Sequence, residues 1–114
     1  MEADRRREAE GAWASVHAVP MQTGLRYPDR LREKGVGGYV LAQFVVDSTG
    51  KARRETWQLV HATHADFEAV RRNSLGAQRW TPARNGDRHV CELVRDYTRF
   101  FTDGPNGMIA IGGQ

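Results

Sequence analysis

The strongest pattern of apolar and polar positions lies in residues 39–60. Alternate positions in the first half of this segment form one apolar face, made of Val40, Ala42, Phe44 and Val46. Residues 47–50, Asp-Ser-Thr-Gly, are turn formers, and the segment that follows is rich in β-forming residues only from Thr56 to Val60. The pattern therefore predicts a β-hairpin over residues 39–60 whose charged base, residues 51–55, is exposed to solvent.

Two other segments have the features of short helices. Pro28 favours a first helical turn and Gly35 favours a helix end, so the first predicted helix covers residues 28–35. The second begins at Thr63 or Asp66, either of which could serve as its cap. It continues through positions spaced three and four apart, namely Phe67, Val70, Ser74 and Ala77. This spacing predicts a helix with a narrow buried stripe.

The last regular segment, residues 89–100, is rich in β-branched and aromatic residues but carries charges on both faces. A strand with charges on both faces is usually found at the edge of a sheet. We therefore expect a two-layer α+β fold, in which two helices cover one face of a three-stranded antiparallel sheet. In this fold the return strand of the hairpin and residues 89–100 both pair with the first strand of the hairpin.

Length and composition set the domain organisation. The chain has 114 residues, which suffices for one small domain. Its charged beginning and glycine-rich end predict an N-terminal arm or linker (1–19), a domain (20–101) and a flexible tail (102–114). We expect neither a transmembrane helix nor a signal peptide, because the sequence has no apolar run of the required length. The net charge of +3 is small and acidic residues are interspersed, so charge alone does not indicate nucleic-acid binding.

The candidate reactive side chains have ordinary structural roles. Cys91 is the only cysteine, which excludes an intramolecular disulfide and a multi-cysteine zinc site, and we expect it to be a buried strand thiol. His61 and His64 are three residues apart, but no third metal ligand lies near them in the sequence. Among the acidic candidates, Asp47 fits a turn, Glu55 an exposed strand and Asp66 a helix cap. We therefore expect no enzyme activity, no cofactor and no metal site.

Two segments together resemble a known protein family. The sequences YPDRLREKGVGGYVLAQFVVDSTGKA (27–52) and FEAVRRNSLGAQRWTPAR (67–84) are similar to the C-terminal domain of TonB-family energy transducers. The resemblance covers residues 20–101, and it rests on Tyr27, Pro28, Gly35, Gly38, Phe44, Gly50, Phe67, Trp80 and Pro82. Each of these residues also has a packing or turn role of its own. Glu55 and Arg71 stand where the family usually has apolar residues, which predicts a thinner core.

The resemblance implies a protein-binding function in the cell envelope. A domain of this family captures an extended peptide of an outer-membrane receptor, the TonB box, by adding it to an edge strand, and couples inner-membrane energy to transport. The chain would then be periplasmic and a fragment of an inner-membrane-anchored protein. The expected peptide-binding strand comprises Val90, Cys91, Glu92, Leu93, Val94, Arg95, Asp96 and Tyr97. The arginines expected to attract acidic receptor segments are Arg84, Arg88, Arg95 and Arg99.

Three further interpretations stay open at this stage. The domain could be a TonB-like docking or sensory adaptor module that couples no energy. The apolar segment MIAIG in the tail could support a homodimer by strand exchange. A basic nucleic-acid-binding domain is the lesser alternative, because aromatic residues are interleaved with arginines. These residues are Arg71, Arg72, Arg79, Arg84, Arg88, Arg95 and Arg99, with Trp80, Tyr97 and Phe100.

Overall fold

The computed structural model describes residues 13–19, 25–103 and 107–113. The helices are α1 (Asp29–Glu33) and α2 (Ala65–Ser74). The longer strands are β3 (Gly38–Val46), β4 (Ala52–Ala62), β8 (Glu92–Phe101) and β9 (Met108–Gly113). The short strands are β1 (Trp13–Ala14), β2 (His17–Ala18), β5 (Trp80–Thr81), β6 (Ala83–Asn85) and β7 (Arg88–Val90).

The main sheet has four antiparallel strands in the order β4-β3-β8-β9. Strands β1, β6 and β7 form a second antiparallel sheet, and β2 pairs with β5. These short strands bring residues 13–18, which belong to the predicted arm, against residues 80–85. None of the helices in the described ranges is long and apolar enough to cross a membrane.

The predicted fold class is wrong. Strands account for 51% of the described residues and helices for 16%, so the protein is mostly β, with sheets of three and four strands and only two short helices. The predicted edge segment, residues 89–100, lies largely in β8, which has a neighbour on each side. The reason is that the apolar tail segment pairs with β8 as a fourth strand, β9.

The predicted hairpin over residues 39–60 is confirmed, and β3 and β4 form it. The Asp47 side chain organises its turn, because Oδ1 accepts the backbone N–H groups of Thr49 and Lys51 at 2.9 and 3.2 Å. Strand β4 begins at Ala52 instead of Thr56, so it includes most of the charged base. Two register shifts interrupt its pairing with β3.

Both predicted helices are present but shorter than expected. Helix α2 begins after His64, whose Nδ1 accepts the backbone N–H of Asp66 at 3.2 Å. The N-cap is therefore His64, and neither Thr63 nor Asp66 serves as the cap. The Thr63 hydroxyl instead accepts the backbone N–H of Tyr39 at 2.9 Å, at the start of the sheet.

The core lies between the helices and one face of the four-stranded sheet. One cluster contains Tyr27, Leu31, Val40, Ala42, Phe67 and Phe100. The other contains Phe44, Val46, Leu75, Trp80 and Val94. We call this side of the sheet the helix face, and the opposite side, on which β8 exposes its alternate residues, the open face.

Candidate functional site

The predicted peptide-binding residues extend over two strands. Val90 ends β7 and pairs with Ala83 of β6, and Cys91, which is buried, lies between β7 and β8. The remaining six belong to β8, which pairs with β3 from Glu92 opposite Val46 to Phe100 opposite Gly38. One edge of β8 is thus filled by β3. The other edge is covered by β9 from Asp96 to Phe101.

Alternation in β8 divides its side chains between the two faces. Those on the helix face are buried: Val94, Asp96, Thr98 and Phe100. Those on the open face are exposed: Leu93, Arg95, Tyr97 and Arg99. At the start of the strand, a carboxylate oxygen of Glu92 accepts the backbone N–H of Val16 at 2.8 Å, which fastens the N-terminal segment. Only part of the predicted peptide-binding set is therefore accessible from the open face.

Asp96 is paired inside the core with Arg71 of α2. The guanidinium donates from Nε to Oδ2 at 3.0 Å and from Nη2 to Oδ1 at 2.7 Å. Its Nη1 donates to Ser74 and Gln78, at 3.1 and 2.9 Å, and the Thr98 hydroxyl donates to Asp96 at 3.0 Å. A buried charge pair with this many hydrogen bonds is structural, so the Asp96 carboxylate cannot contact a peptide and Arg71 cannot contact nucleic acid.

Strand β9 occupies the position where a bound peptide was expected. On the helix face Ile109 lies opposite Phe100 and packs against the core, whereas Ile111 lies opposite Thr98 and is 42% exposed. On the open face the pairs are Met108 with Phe101, Ala110 with Arg99, and Gly112 with Tyr97. Among the described side chains of β9, Ile109 alone packs against the core clusters. Main-chain pairing and one apolar anchor therefore hold this strand.

The open face next to β9 carries a row of aromatic rings. Tyr39 contacts both His61 and Tyr97, with ring centroids 5.4 and 5.5 Å apart. The guanidinium of Arg99 lies over the Phe101 ring, 5.1 Å from its centroid. A groove of 610 Å³ borders the Tyr39, Tyr97, Arg99 and Phe101 side chains. Gly35, Gly37 and Gly38 also line this groove and no residue of β9 does, so it lies towards the start of β3.

The four arginines predicted to attract acidic segments lie in two places. Arg95 and Arg99 are exposed on the open face of β8. Arg84 and Arg88 are exposed on the separate β6–β7 hairpin, where they face His89 and Asn85. Among the aromatic residues that suggested nucleic-acid binding, Trp80 and Phe100 are buried and Tyr97 is exposed. The basic surface is therefore smaller than the sequence alone suggested.

The residues that carry the family resemblance lie in turns and in the core. Tyr27 is buried, its hydroxyl donates to the Val36 carbonyl at 2.5 Å, and burial raises the pKa of its phenol. Phe67 and Phe100 stack at 4.2 Å, and Phe44 and Trp80 meet in the second cluster at 5.7 Å. Positive φ angles of 68° and 86° occur at Gly35 and Gly50. Gly38 packs against the Thr63 side chain, Pro28 precedes α1, and Pro82 separates β5 from β6.

The histidine pair and the acidic candidates are dispersed. His64 caps α2, whereas His61 contacts Tyr39 on the open face. Within residues 13–19, 25–103 and 107–113, no three His, Cys, Asp or Glu side chains are grouped so that they could hold a metal ion. Glu55 pairs with Arg53 at 2.7 Å at the solvent-exposed base of the hairpin.

No protein-family model matches the sequence, and no curated protein matches it at a significant level. The part of the site that the sequence reading missed is β9. Its signal is the short uncharged run MIAIG, which the sequence predicts as a β-prone segment without a partner strand in the same sheet. A short apolar run of this kind indicates a strand only when a partner strand is known, and the predicted three-stranded sheet provided none.

Proposed function

We propose that this chain is a protein-binding domain that captures an extended segment of a partner protein by β-strand addition on the β8 side of its four-stranded sheet. The observation that carries this proposal is β9 itself, a six-residue apolar strand paired along Asp96–Phe101. An edge that holds a strand through main-chain hydrogen bonds and one partly buried side chain, Ile109, can hold another strand of similar shape. We infer that the partner segment takes the place of β9.

The opposite edge of the sheet is less suited to strand addition. Strand β4 carries Arg53, Arg54 and Glu55, and its pairing with β3 is interrupted by two register shifts. Charges and bulges are the features by which natural sheets prevent unwanted pairing at their edges. By contrast, residues 107–113 contain no charge and no proline, and the register of β9 on β8 is unbroken. This difference favours the β8 side as the binding edge.

Displacement of β9 is energetically accessible because its attachment is modest. Met108 and Ile111 are already 52% and 42% exposed, so leaving the sheet uncovers less apolar surface at these positions than release of fully buried side chains would. The chief losses are the Ile109 contacts and the main-chain hydrogen bonds, and a partner strand restores equivalent ones. We expect micromolar affinity, because the partner must be ordered and must also compete with a tethered strand.

The partner class that we propose follows from the resemblance to TonB-family transducers. We propose that the domain acts in the periplasm on the TonB box of an outer-membrane receptor and transmits energy supplied through an inner-membrane anchor. The support is the set of family-like residues in turns and core, from Tyr27 to Pro82. A TonB-like adaptor that docks on the same strand without energy coupling is the alternative. Reconstituted receptor transport separates these two cases, because an adaptor binds the receptor peptide and leaves transport unchanged.

Binding to a variant with a weakened β9 tests the strand-addition proposal. In the full chain, Ile109→Asp places a carboxylate against the apolar cluster and should release β9 from β8. A fluorescent seven-residue copy of residues 107–113 should then bind at least tenfold more tightly than it binds the unaltered chain. Ile111→Asp is the matched control, because the same charge at this exposed position leaves the anchor in place. Equal affinity for Ile109→Asp and the unaltered chain would contradict displacement.

A further inference from the structure

We propose that Arg99 and Tyr97 determine which partner strand is captured, by selecting an acidic residue and an aromatic residue two positions later. This inference rests on the proposed strand addition and specifies the sequence class of the partner. The positions follow from the register of β9, in which Ala110 lies opposite Arg99 and Gly112 lies opposite Tyr97 on the open face. The preferred segment is therefore apolar, acidic, apolar, aromatic, reading from the position of Ile109 to that of Gly112.

The β9 strand fills the main-chain positions of this site but not its side-chain positions. Ala110 and Gly112 are the two smallest residue types, and both are exposed opposite larger exposed side chains. Directly opposed residues in an antiparallel pair approach closely enough for their side chains to interact. A partner strand with larger residues at these two positions gains contacts that β9 lacks. This gain lets a partner compete with a strand that belongs to the same chain.

The positive charge of Arg99 favours a carboxylate at the opposite position of the partner strand, which Ala110 occupies in β9. Arg99 is exposed over the Phe101 ring, and no carboxylate in the described ranges pairs with it. Arg95 lies on the same face, two residues before Tyr97 in the sequence, and adds a second positive charge. Opposite charges on opposed strand positions attract, whereas a basic residue at this position is repelled by Arg99.

The second position favours an aromatic ring. Tyr97 already contacts Tyr39 at 5.5 Å, and Tyr39 contacts His61 at 5.4 Å, so the row of rings ends at the β9 side of Tyr97. Gly112 leaves that end of the row open. An aromatic residue in its place extends the row by one ring, in the cross-strand arrangement that stabilises antiparallel pairs.

A variant within the chain tests the charge position without any partner. Ala110→Glu should slow hydrogen exchange of the β9 amides about threefold through its pairing with Arg99. The effect should be absent in Ala110→Gln, which matches the shape without the charge, and in Ala110→Glu combined with Arg99→Gln. If Ala110→Glu slows exchange equally with Arg99 and with Arg99→Gln, or does not slow it when Arg99 is present, Arg99 does not select a carboxylate at this position.

Peptide competition tests the whole pattern on the full chain carrying Ile109→Asp. A copy of residues 107–113 with glutamate in place of Ala110 and tyrosine in place of Gly112 should bind about fivefold more tightly than the unchanged copy. Moving both residues one place along the peptide turns them to the helix face and should abolish the gain. Equal binding of all three peptides would overturn the selection while leaving strand addition intact.

The remaining outcomes of this competition are also decisive. If no peptide binds, strand addition itself fails, and the hydrogen-exchange result alone then decides whether Arg99 selects a carboxylate opposite it. If a single-stranded oligothymidine displaces the doubly substituted peptide at equal concentration, the open face prefers nucleic acid and the protein-segment selection is overturned.

Discussion

The Arg71 guanidinium donates two hydrogen bonds to the Asp96 carboxylate, 3.0 and 2.7 Å long, across the interface between helix α2 and strand β8. Both side chains are almost fully buried, at 0% and 1% exposure. Ser74 and Gln78 each accept a further hydrogen bond from Nη1, so four of the five guanidinium hydrogens have a partner inside the core. This ion pair fixes the position of the helix over the strand that we propose as the binding edge.

Removing one partner of this pair should be strongly destabilising. Arg71→Met leaves the Asp96 carboxylate buried without its counter-ion, and we expect a loss of about 3 to 5 kcal/mol in the free energy of unfolding. The double variant Arg71→Met with Asp96→Val should recover most of this loss, because neither charge is then left alone. Urea denaturation of the single and double variants measures both effects. If the losses of the two single variants simply add, the residues are not coupled.

The Phe44 ring should contribute strongly to stability. It is fully buried between Trp57 and Trp80, with ring centroids 6.0 and 5.7 Å away. We expect Phe44→Ala to cost about 3 to 5 kcal/mol in denaturant unfolding, because the cavity lies between rigid rings. Val45→Ala, one residue along on the open face, is the control and should cost much less. A loss within about 0.5 kcal/mol for Phe44→Ala would mean that the face assignment is wrong.

Stability should fall on acidification in part through Asp47. Burial alone would raise the pKa of Asp47, but hydrogen bonds from the Thr49 hydroxyl and from two backbone N–H groups outweigh it, helped by the Arg53 charge. The pKa of Asp47 in the folded state therefore lies below its usual value, so the stabilisation is present above the unfolded pKa of about 4 and is lost as the pH falls from there through the lower folded pKa. Asp47→Asn keeps an acceptor without the charge. The melting temperature of the Asp47→Asn variant should change less than that of the native chain between pH 6 and pH 3. An equal change would show that the Asp47 carboxylate does not contribute to the loss of stability in acid.

Gly50 should tolerate substitution less well than Gly86. Both have positive φ, at 86° and 64°, which costs an L-residue about 1 to 2 kcal/mol. A Cβ at Gly50 would also collide with the Trp80 carbonyl, whereas a Cβ at Gly86 meets nothing within 4 Å. Gly50→Ala should therefore lower the denaturation midpoint more than Gly86→Ala does. Equal midpoints would show that the turn can move away from Trp80.

The sequence predicted the hairpin and both helices because their signals are local. The apolar face from Val40 to Val46 needs no partner to be recognised, and the three- and four-residue spacing of the buried positions in α2 is likewise a local pattern, although it did not identify His64 as the cap. The position of β8 could not be read in this way. Its charged residue Asp96 indicated an edge strand, but that charge is neutralised by Arg71, 25 residues away in the sequence. The pairing of a buried charge is a property of the tertiary structure.

The candidate site was predicted in part for a related reason. Arg95, Tyr97 and Arg99 are exposed on one face of β8, which is the face that the proposed selection of a partner strand uses. Val94 and Asp96 face the core, because successive strand residues point to opposite sides and the helices cover one of them. The sequence did not reveal which face of β8 the helices cover. It also did not reveal that the tail, read as flexible, includes a strand of the main sheet.

Backbone amide shifts test the central claim most directly. The isotope-labelled full chain carrying Ile109→Asp is titrated with the seven-residue copy of residues 107–113. Strand addition on β8 predicts that the largest shift changes fall on Asp96–Phe101, that β9 amides keep the shifts of a released segment, and that β4 and α2 remain unchanged. Shift changes confined to β4 or to α2, or changes that arise only with single-stranded nucleic acid, would contradict the account.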